Sequence, residues 1–340
     1  MNQNESRKTV AVLGAGGWGI AMAKLLDAAG HTVRLWEFDP QAADRLARLR
    51  TLSEKLPDIE LRPSIEVTND LIWALEGSRA VLFVTPSSAI RPTARRIREA
   101  ISSDALVVSL AKGIEVDTGL RMTQIISSEL SGRPVVALVG PSHAEEVARG
   151  IPTAVVAACD DRAEAVRAQL LFSTDRFRVY TSEDTIGVEL AAALKNIVAI
   201  AAGIVDGLGY ETADNLKGAL MTRGLAEITR LGVKMGAKPE TFAGLSGVGD
   251  LITTCLSRHS RNRHVGEQVG HGRPLAEVLA SMSMVAEGVN TTKAALRLAE
   301  IHQVDMPIAR AVASVLFDGQ PPGQVLRDLM TRPPQPEIRR

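Results

Sequence analysis

Cysteine is scarce in this chain: Cys159 and Cys255 are the only two among 340 residues, far apart and each alone. That excludes a disulfide framework and any cysteine-based zinc site of recognisable spacing. The six histidines show no ligand-like pairing, so no metal is expected. Net charge is lacking too, because 39 Lys and Arg balance 39 Asp and Glu. With no global basic field, nucleic acid and anionic membranes are poor partners. The opening MNQNESRK has no apolar core, so no signal peptide is expected and a cytoplasmic location fits. Hydrophobic content of 45% and charged content of 23% are ordinary for a soluble globular protein.

What is present divides into two textures. The length suggests about two domains. Residues 1–8 read as a short disordered tail. Thr9–Leu13 (TVAVL) reads as a buried strand, followed by Gly14-Ala15-Gly16-Gly17-Trp18-Gly19 and an Ala-rich helix from Ile20 to about Ala29. Gly30 stops that helix, and Thr32–Phe38 (TVRLWEF) reads as the next strand. G-x-G-x-x-G between a strand and a helix, with Glu37 and Asp39 about twenty positions on, predicts a dinucleotide site. Gly14 permits the tight turn, Gly16 lets backbone approach a pyrophosphate, and Gly19 allows close packing. Asp39 before Pro40 also suits a helix cap, which leaves Glu37 as the better carboxylate for an adenosine ribose.

Strand-like runs recur near 65–67, 80–85, 105–110, 135–139, 153–158 and 177–180, with helical stretches between most of them. Such alternation predicts a largely parallel, doubly wound sheet, with ligands beyond the carboxyl ends of its strands. The loops at Pro86, at Ala111-Lys112-Gly113 and at Gly140-Pro141-Ser142 should therefore gather at one edge. Lys112 is either a ligand-facing cation or an ordinary loop lysine. Ser142 either caps a helix or helps form an anion site. From about Asp184 every strong pattern is helical, which predicts domains at 1–185 and 186–330. A Pro-rich tail at 331–340 is expected to be disordered. The run Leu245–Asp250 reads as a glycine-rich turn. The basic run Cys255–His264 (CLSRHSRNRH) has no interleaved aromatics, so it fits a phosphate ester better than single-stranded nucleic acid.

One stretch is anomalous. Ile186–Gly207 reads as a long apolar helix, yet Lys195 and Asn196 sit near its middle. Its length approaches that of a membrane span, but Glu189, Lys195 and Asn196 argue against one. Lys195 either snorkels to the surface or is held in the interior with a lowered pKa. Its neighbours at helical spacing, Ala191, Ala192, Val198, Ala199 and Ala202, are mostly small, which suggests that a ligand could approach the ammonium closely.

Beside a nicotinamide site this lysine is a candidate base. Tyr180 and Tyr210 are followed four residues on by Asp184 and Asp214, so the Tyr-x-x-x-Lys signature of short-chain dehydrogenases is missing. Zinc ligands are lacking. His143 is a conceivable base with no evident partner.

The motifs then converge. GAGGWG, VSLAKGIE, GPSHAEEVA, GVELAAALKNIVAIAAGIVDG, TRGLAEITRLG, GLSGVGDLITTC, SRNRHVGE and VAEGVNTTK occur in order. On these the chain resembles the bacterial type of NAD(P)-dependent glycerol-3-phosphate dehydrogenase, from the glycine loop to about Met330. The resemblance implies a Rossmann-like α/β domain plus an all-α domain of 6-phosphogluconate-dehydrogenase type. It implies interconversion of sn-glycerol 3-phosphate, a phosphorylated triose derivative, with dihydroxyacetone phosphate, supplying phospholipid synthesis. Lys195 would be the proton acceptor. Lys112, Gly140, Ser142, Asp250, Ser260, Arg261 and Asn262 would surround the substrate. Gly17, Trp18, Phe38, Lys112, Ala144, Arg261, Val285 and Glu287 would surround NAD or NADP. Many bacterial relatives carry Arg or His at the position of Phe38, so a preference for NAD is expected here. Related β-hydroxyacid and 6-phosphogluconate dehydrogenases typically place Asn several residues after the lysine, whereas Asn196 is adjacent. A non-catalytic NAD-sensing module would have no need of Lys195 or the SRN segment. A homodimer is one option for an assembly the sequence leaves open.

Overall fold

The computed structural model describes residues 7–51, 56–210, 212–282, 284–334 and 336–337. The expected tail at 1–8 lies almost wholly outside the described residues, and that at 331–340 lies partly outside them. Eight strands form one sheet: β1 (Thr9–Leu13), β2 (Thr32–Trp36), β3 (Glu66–Thr68), β4 (Ala80–Phe83), β5 (Leu106–Ser109), β6 (Val136–Val139), β7 (Thr153–Ala158) and β8 (Phe177–Ser182). Helices α1 (Gly17–Ala28), α2 (Pro40–Leu49), α3 (Leu71–Leu75), α4 (Ser87–Ile97), α5 (Met122–Glu129), α6 (Ala144–Ala148) and α7 (Arg162–Phe172) connect them. The rest is helical: α8 (Thr185–Gly207), α9 (Asp214–Lys234), α10 (Pro239–Phe242), α11 (Asp250–Leu256), α12 (Arg261–Gly270), α13 (Leu275–Ala280), α14 (Glu287–Ile301), α15 (Pro307–Phe317) and α16 (Pro322–Met330).

The strand order is β3-β2-β1-β4-β5-β6-β7-β8. Alternate residues feed opposite faces, as the pleat requires. Val10, Val12, Leu82 and Val108 enter one core, while Ala11, Leu13, Val81, Phe83 and Val107 enter the other. Both faces are covered, so β4, β5 and β6 are buried at every residue.

β1 to β6 are parallel, but β7 runs antiparallel to β6 and β8 follows β7. Apolar runs do not encode strand direction, so this reversal was not foreseen. Its consequence is large. β8 ends at the edge where β6 begins, and α8 starts there, where the Thr185 hydroxyl donates to Asp160 Oδ1 at 2.7 Å. α8 then climbs over the sheet, burying Val188 and Ala192 against Val139 and Val156. The step from Thr185 to Lys195 is about 15 Å, close to the length of a short strand. Lys195 therefore reaches the edge where the carboxyl ends of β1 to β6 lie.

The small residues of α8 serve helix packing and not ligand access. Ala199 and Ala202 pack with Leu251 and Cys255 of α11, and with Leu220 and Leu225 of α9. A Cβ on Gly203 would lie 1.9 Å from Arg263 O, and one on Gly266 would lie 2.0 Å from Ile200 O. α8 and α12 thus cross with backbones almost touching. α8 is long and apolar enough to cross a membrane by length and composition, but the qualifying window is wholly buried in the protein. It is the central helix of the helical layer.

Two local readings change. Leu245–Gly249 is a single π-helical turn running into α11, where a Cβ on Gly247 would meet Phe242 O at 2.0 Å. The second half of the glycine motif is helical, since α1 begins at Gly17.

Candidate active site

The loops after β1, β4, β5 and β6 meet α8, α11, α12 and the start of α14 around a cleft of about 520 Å³. At its floor Asp250 joins two lysines. Lys195 Nζ donates to Asp250 Oδ1 at 2.8 Å, and Lys112 Nζ donates to Oδ2 at 2.7 Å. Lys112 also donates to Gly140 O at 3.0 Å, and Lys195 is held by Thr254 Oγ1. The Thr254 hydroxyl in turn donates to Asp250 O at 2.7 Å. Lys195 and Asp250 are both buried, whereas the Lys112 side chain is partly exposed. Lys195 does not snorkel.

Burial among apolar helices disfavours the ammonium and lowers the Lys195 pKa from 10.5 to about 8. Asp250 pulls it back up, and Lys112 pushes it down further. Burial alone would raise the Asp250 pKa, but the two lysines outweigh it and hold the carboxyl below its ordinary value. The result is a carboxylate fixed between two amines, one of which has its pKa lowered to about 8.

The glycine loop forms another wall. Gly14 has φ +117°, and a Cβ there would press on Val84 and Thr85 backbone at 3.1 Å. A Cβ on Gly19 would fall 1.8 Å from Gly14 O, so the motif's third glycine packs against its first. Gly16 faces open space and caps α1 with no side-chain hydrogen bond, and the first turn of α1 carries no acid. Its N–H groups remain for an anion, which is the property a pyrophosphate site needs. Gly17, Trp18, Phe38, Ala144, Val285 and Glu287 line the same cleft. The Glu287 carboxylate accepts the Ser87 N–H at 2.9 Å and its hydroxyl, tying α14 to α4. Asp39 caps α2 through Gln41 N at 2.8 Å, while Glu37 lines the cleft.

At the opposite end lies the start of α12. Ser260 caps it by accepting the Arg263 N–H at 3.2 Å. Arg261 reaches Val285 O at 2.9 Å, and Asn262 Oδ1 accepts the Gly288 N–H at 2.9 Å, leaving the amide NH₂ as a donor. A guanidinium, an amide and a helix N-terminus together suit a phosphate. Ser142 also lines the cleft, but it does not cap α6. His143 occupies that position, and the Ser142 hydroxyl donates to Gly140 O at 3.0 Å.

The cleft is also lined by Thr254, which was not singled out from sequence, and by Asn196 and His259, which were named only as parts of longer runs. Thr254 stands four residues after Asp250 on α11, a spacing that shares one helix face and could have flagged it. Asn196 simply follows Lys195. His143 lies in the cleft with its ring 5.9 Å from that of His259. Burial lowers its pKa, and its Nε2 finds no partner among the described residues. Thr85 Oγ1, also on the cleft wall, is likewise unpartnered. No group of three or more His, Cys, Asp or Glu able to hold a metal occurs among the described residues.

Known proteins resemble this chain in sequence and fold. Residues 9–165 match the family described as NAD-dependent glycerol-3-phosphate dehydrogenase N-terminus, and residues 184–327 match the corresponding C-terminus. The chain is 48% identical over 332 residues to a glycerol-3-phosphate dehydrogenase, NAD(P)+, of Chlorobium phaeobacteroides, covering 97% of this chain and 99% of that one. It is 50% identical over 326 residues to one of Pelotomaculum thermopropionicum, covering 95% and 93%. The crystal structure of a glycerol-3-phosphate dehydrogenase from Coxiella burnetii superimposes with a TM-score of 0.91 at 35% identity, covering 96% and 99%. The chain therefore belongs to the NAD-dependent glycerol-3-phosphate dehydrogenase family.

Proposed function

We propose that this protein interconverts sn-glycerol 3-phosphate and dihydroxyacetone phosphate, with Lys195 as base in one direction and acid in the other. The observation that carries the reading is Lys195 itself: buried, with a pKa near 8, and salt-bridged to Asp250 beneath the cleft. NAD or NADP, when bound, supplies the hydride acceptor or donor. The residues do the rest. Neutral Lys195 accepts the proton of the C2 hydroxyl, and Asp250 stabilises the ammonium that forms. Thr254 fixes the position of Nζ. Lys112 anchors the other oxygen of Asp250, so the carboxylate cannot swing away. Arg261, Asn262 and the N-terminus of α12 hold the substrate phosphate, which sets the three-carbon unit against Lys195. Gly14, Gly16, Gly17 and the first turn of α1 take the cofactor pyrophosphate.

Glu37 and Phe38 put a carboxylate and an apolar ring where β2 ends, so NAD is the preferred cofactor. The product serves as the glycerol phosphate backbone of phospholipids, and the enzyme acts in the cytoplasm.

NADH oxidation with dihydroxyacetone phosphate tests the reading. Lys195→Ala should lose at least about a hundredfold in kcat, the low end of general acid–base contributions, while still binding NADH. Retained kcat would remove Lys195 from the mechanism, and equal kcat/KM for NADH and NADPH would end the NAD preference.

A further inference from the structure

Four arginines lie along α4 and its cap: Arg91, Arg95, Arg96 and Arg98. Three are committed to the protein. Arg91 pairs with Glu115 at 2.6 Å and Glu129 at 2.7 Å, Arg95 with Glu129 at 3.0 Å, and Arg98 with Glu129 at 2.9 Å. Their spacing of four and three residues places them on one helix face. Arg96 is off that face. It continues the row Ala89, Thr93, Arg96, of which Ala89 and Thr93 line the cofactor end of the cleft.

The Arg96 guanidinium lies 5.4 Å from the centre of the Trp36 ring and 5.9 Å from that of Phe38. Those rings meet edge to face at 6.2 Å, at the carboxyl end of β2. Among the described residues no carboxylate pairs with Arg96, and it is exposed. Glu37, next to Phe38 along the chain, also lines the cleft, and its Oε1 accepts the Asp39 N–H at 3.2 Å. A cation aimed by two aromatic rings, with no paired carboxylate among the described residues, thus borders the place where an adenosine ribose sits in this fold.

We infer that Arg96 is the cation that receives the 2′-phosphate of NADP. Position 38, at the end of β2, holds a phenylalanine and cannot donate. Glu37 repels a second phosphate, which favours NAD. Arg96 offsets that repulsion from the neighbouring helix and keeps NADP acceptable. The two relatives compared above carry both cofactors in their names. A planar guanidinium suits the phosphate geometrically, and the aromatic pair restrains it without neutralising it.

The inference rests on the cofactor reading of this cleft, and binding measurements separate the two. NADH and NADPH are titrated by fluorescence into wild type, Arg96→Ala and Arg96→Lys, and kcat/KM is measured for each cofactor. Arg96→Ala should weaken NADPH binding by about tenfold or more, the range for a hydrogen bond to a charged group. It should leave NADH binding within about twofold. Arg96→Lys keeps the charge and should recover part of the NADPH affinity. Raising the ionic strength should weaken NADPH binding relative to NADH binding in wild type more than in Arg96→Ala. Equal losses for the two cofactors, no loss for either, or a lysine variant as weak as alanine would overturn the assignment. The wild-type ratio of NADH to NADPH tests the NAD preference independently of all three outcomes.

Discussion

The pH dependence of the reaction should report the Lys195–Asp250–Lys112 triad directly. Lys195 has a pKa of about 8 in place of 10.5. At pH 7 an ordinary lysine is neutral about once in three thousand molecules, and one with a pKa of 8 about once in ten, a gain of ~300-fold in available base. For glycerol 3-phosphate oxidation, kcat/KM should rise with pH and level off above about 8. For dihydroxyacetone phosphate reduction, where the ammonium is the acid, it should fall above that point. Two variants fix the assignment by sign. Asp250→Asn removes the charge that raises the Lys195 pKa, so the limb should move down by about one unit or more. Lys112→Met removes the cation that lowers it, so the limb should move up. Both variants should also weaken substrate binding, but the position of the limb and not its height is the readout. Initial rates followed by nicotinamide absorbance from about pH 6 to pH 10 suffice. A profile with its limb near 10, or variants whose limbs stay put, would refute the account of how burial and the two neighbours set the pKa.

Two further outcomes concern stability. Gly203→Ala should destabilise the protein by about 1–3 kcal/mol or more, because its Cβ would overlap Arg263 O. Gly218→Ala, in the exposed interior of α9 with nothing within 4 Å, should stabilise it by about 0.5–1 kcal/mol. Thermal unfolding of the pair tests the close crossing of α8 and α12, and equal effects would contradict it. Glu227 is buried and accepts the N–H groups of Ile308 and Ala309 at 2.9 Å each. Burial raises its pKa from 4.5 to about 7. The folded state therefore binds more protons than the unfolded state between about pH 4.5 and 7, so stability should fall as pH rises through that window, by about 3 kcal/mol at most. Denaturant unfolding of wild type and Glu227→Gln compares them; a variant with the same slope in this window would assign the effect elsewhere.

The parts of the site that were readable in advance are those that chemistry confines to short spans. GAGGWG lies within six positions because one turn must clear an anion, and structure adds only that Gly19 packs on Gly14 O. Lys195 stood out because a charge in an apolar helix is costly. The role of the surrounding alanines was misread. Small side chains look alike whether they admit a ligand or a helix, and here they admit α9 and α11. Asp250 had only a family resemblance to recommend it, since an acid at a helix start is usually a cap. Arg96 gave no local signal, because its neighbours Arg95 and Arg98 look identical in sequence and differ only in facing Glu129.

Composition, periodicity and motif spacing by themselves determined the alternating strands, the change to helix near residue 184, the dinucleotide loop and the one lysine worth suspecting. These are properties of local segments, in which side-chain period and backbone sterics act over a few residues. Tertiary structure alone decided the reversal of β7 and β8, which starts α8 at the far edge of the sheet and delivers Lys195 to the cleft. It alone placed Asp250 between two lysines that lie 138 and 55 residues away along the chain. Strand direction and through-space electrostatics depend on where the chain returns, and no local pattern of side chains carries that information.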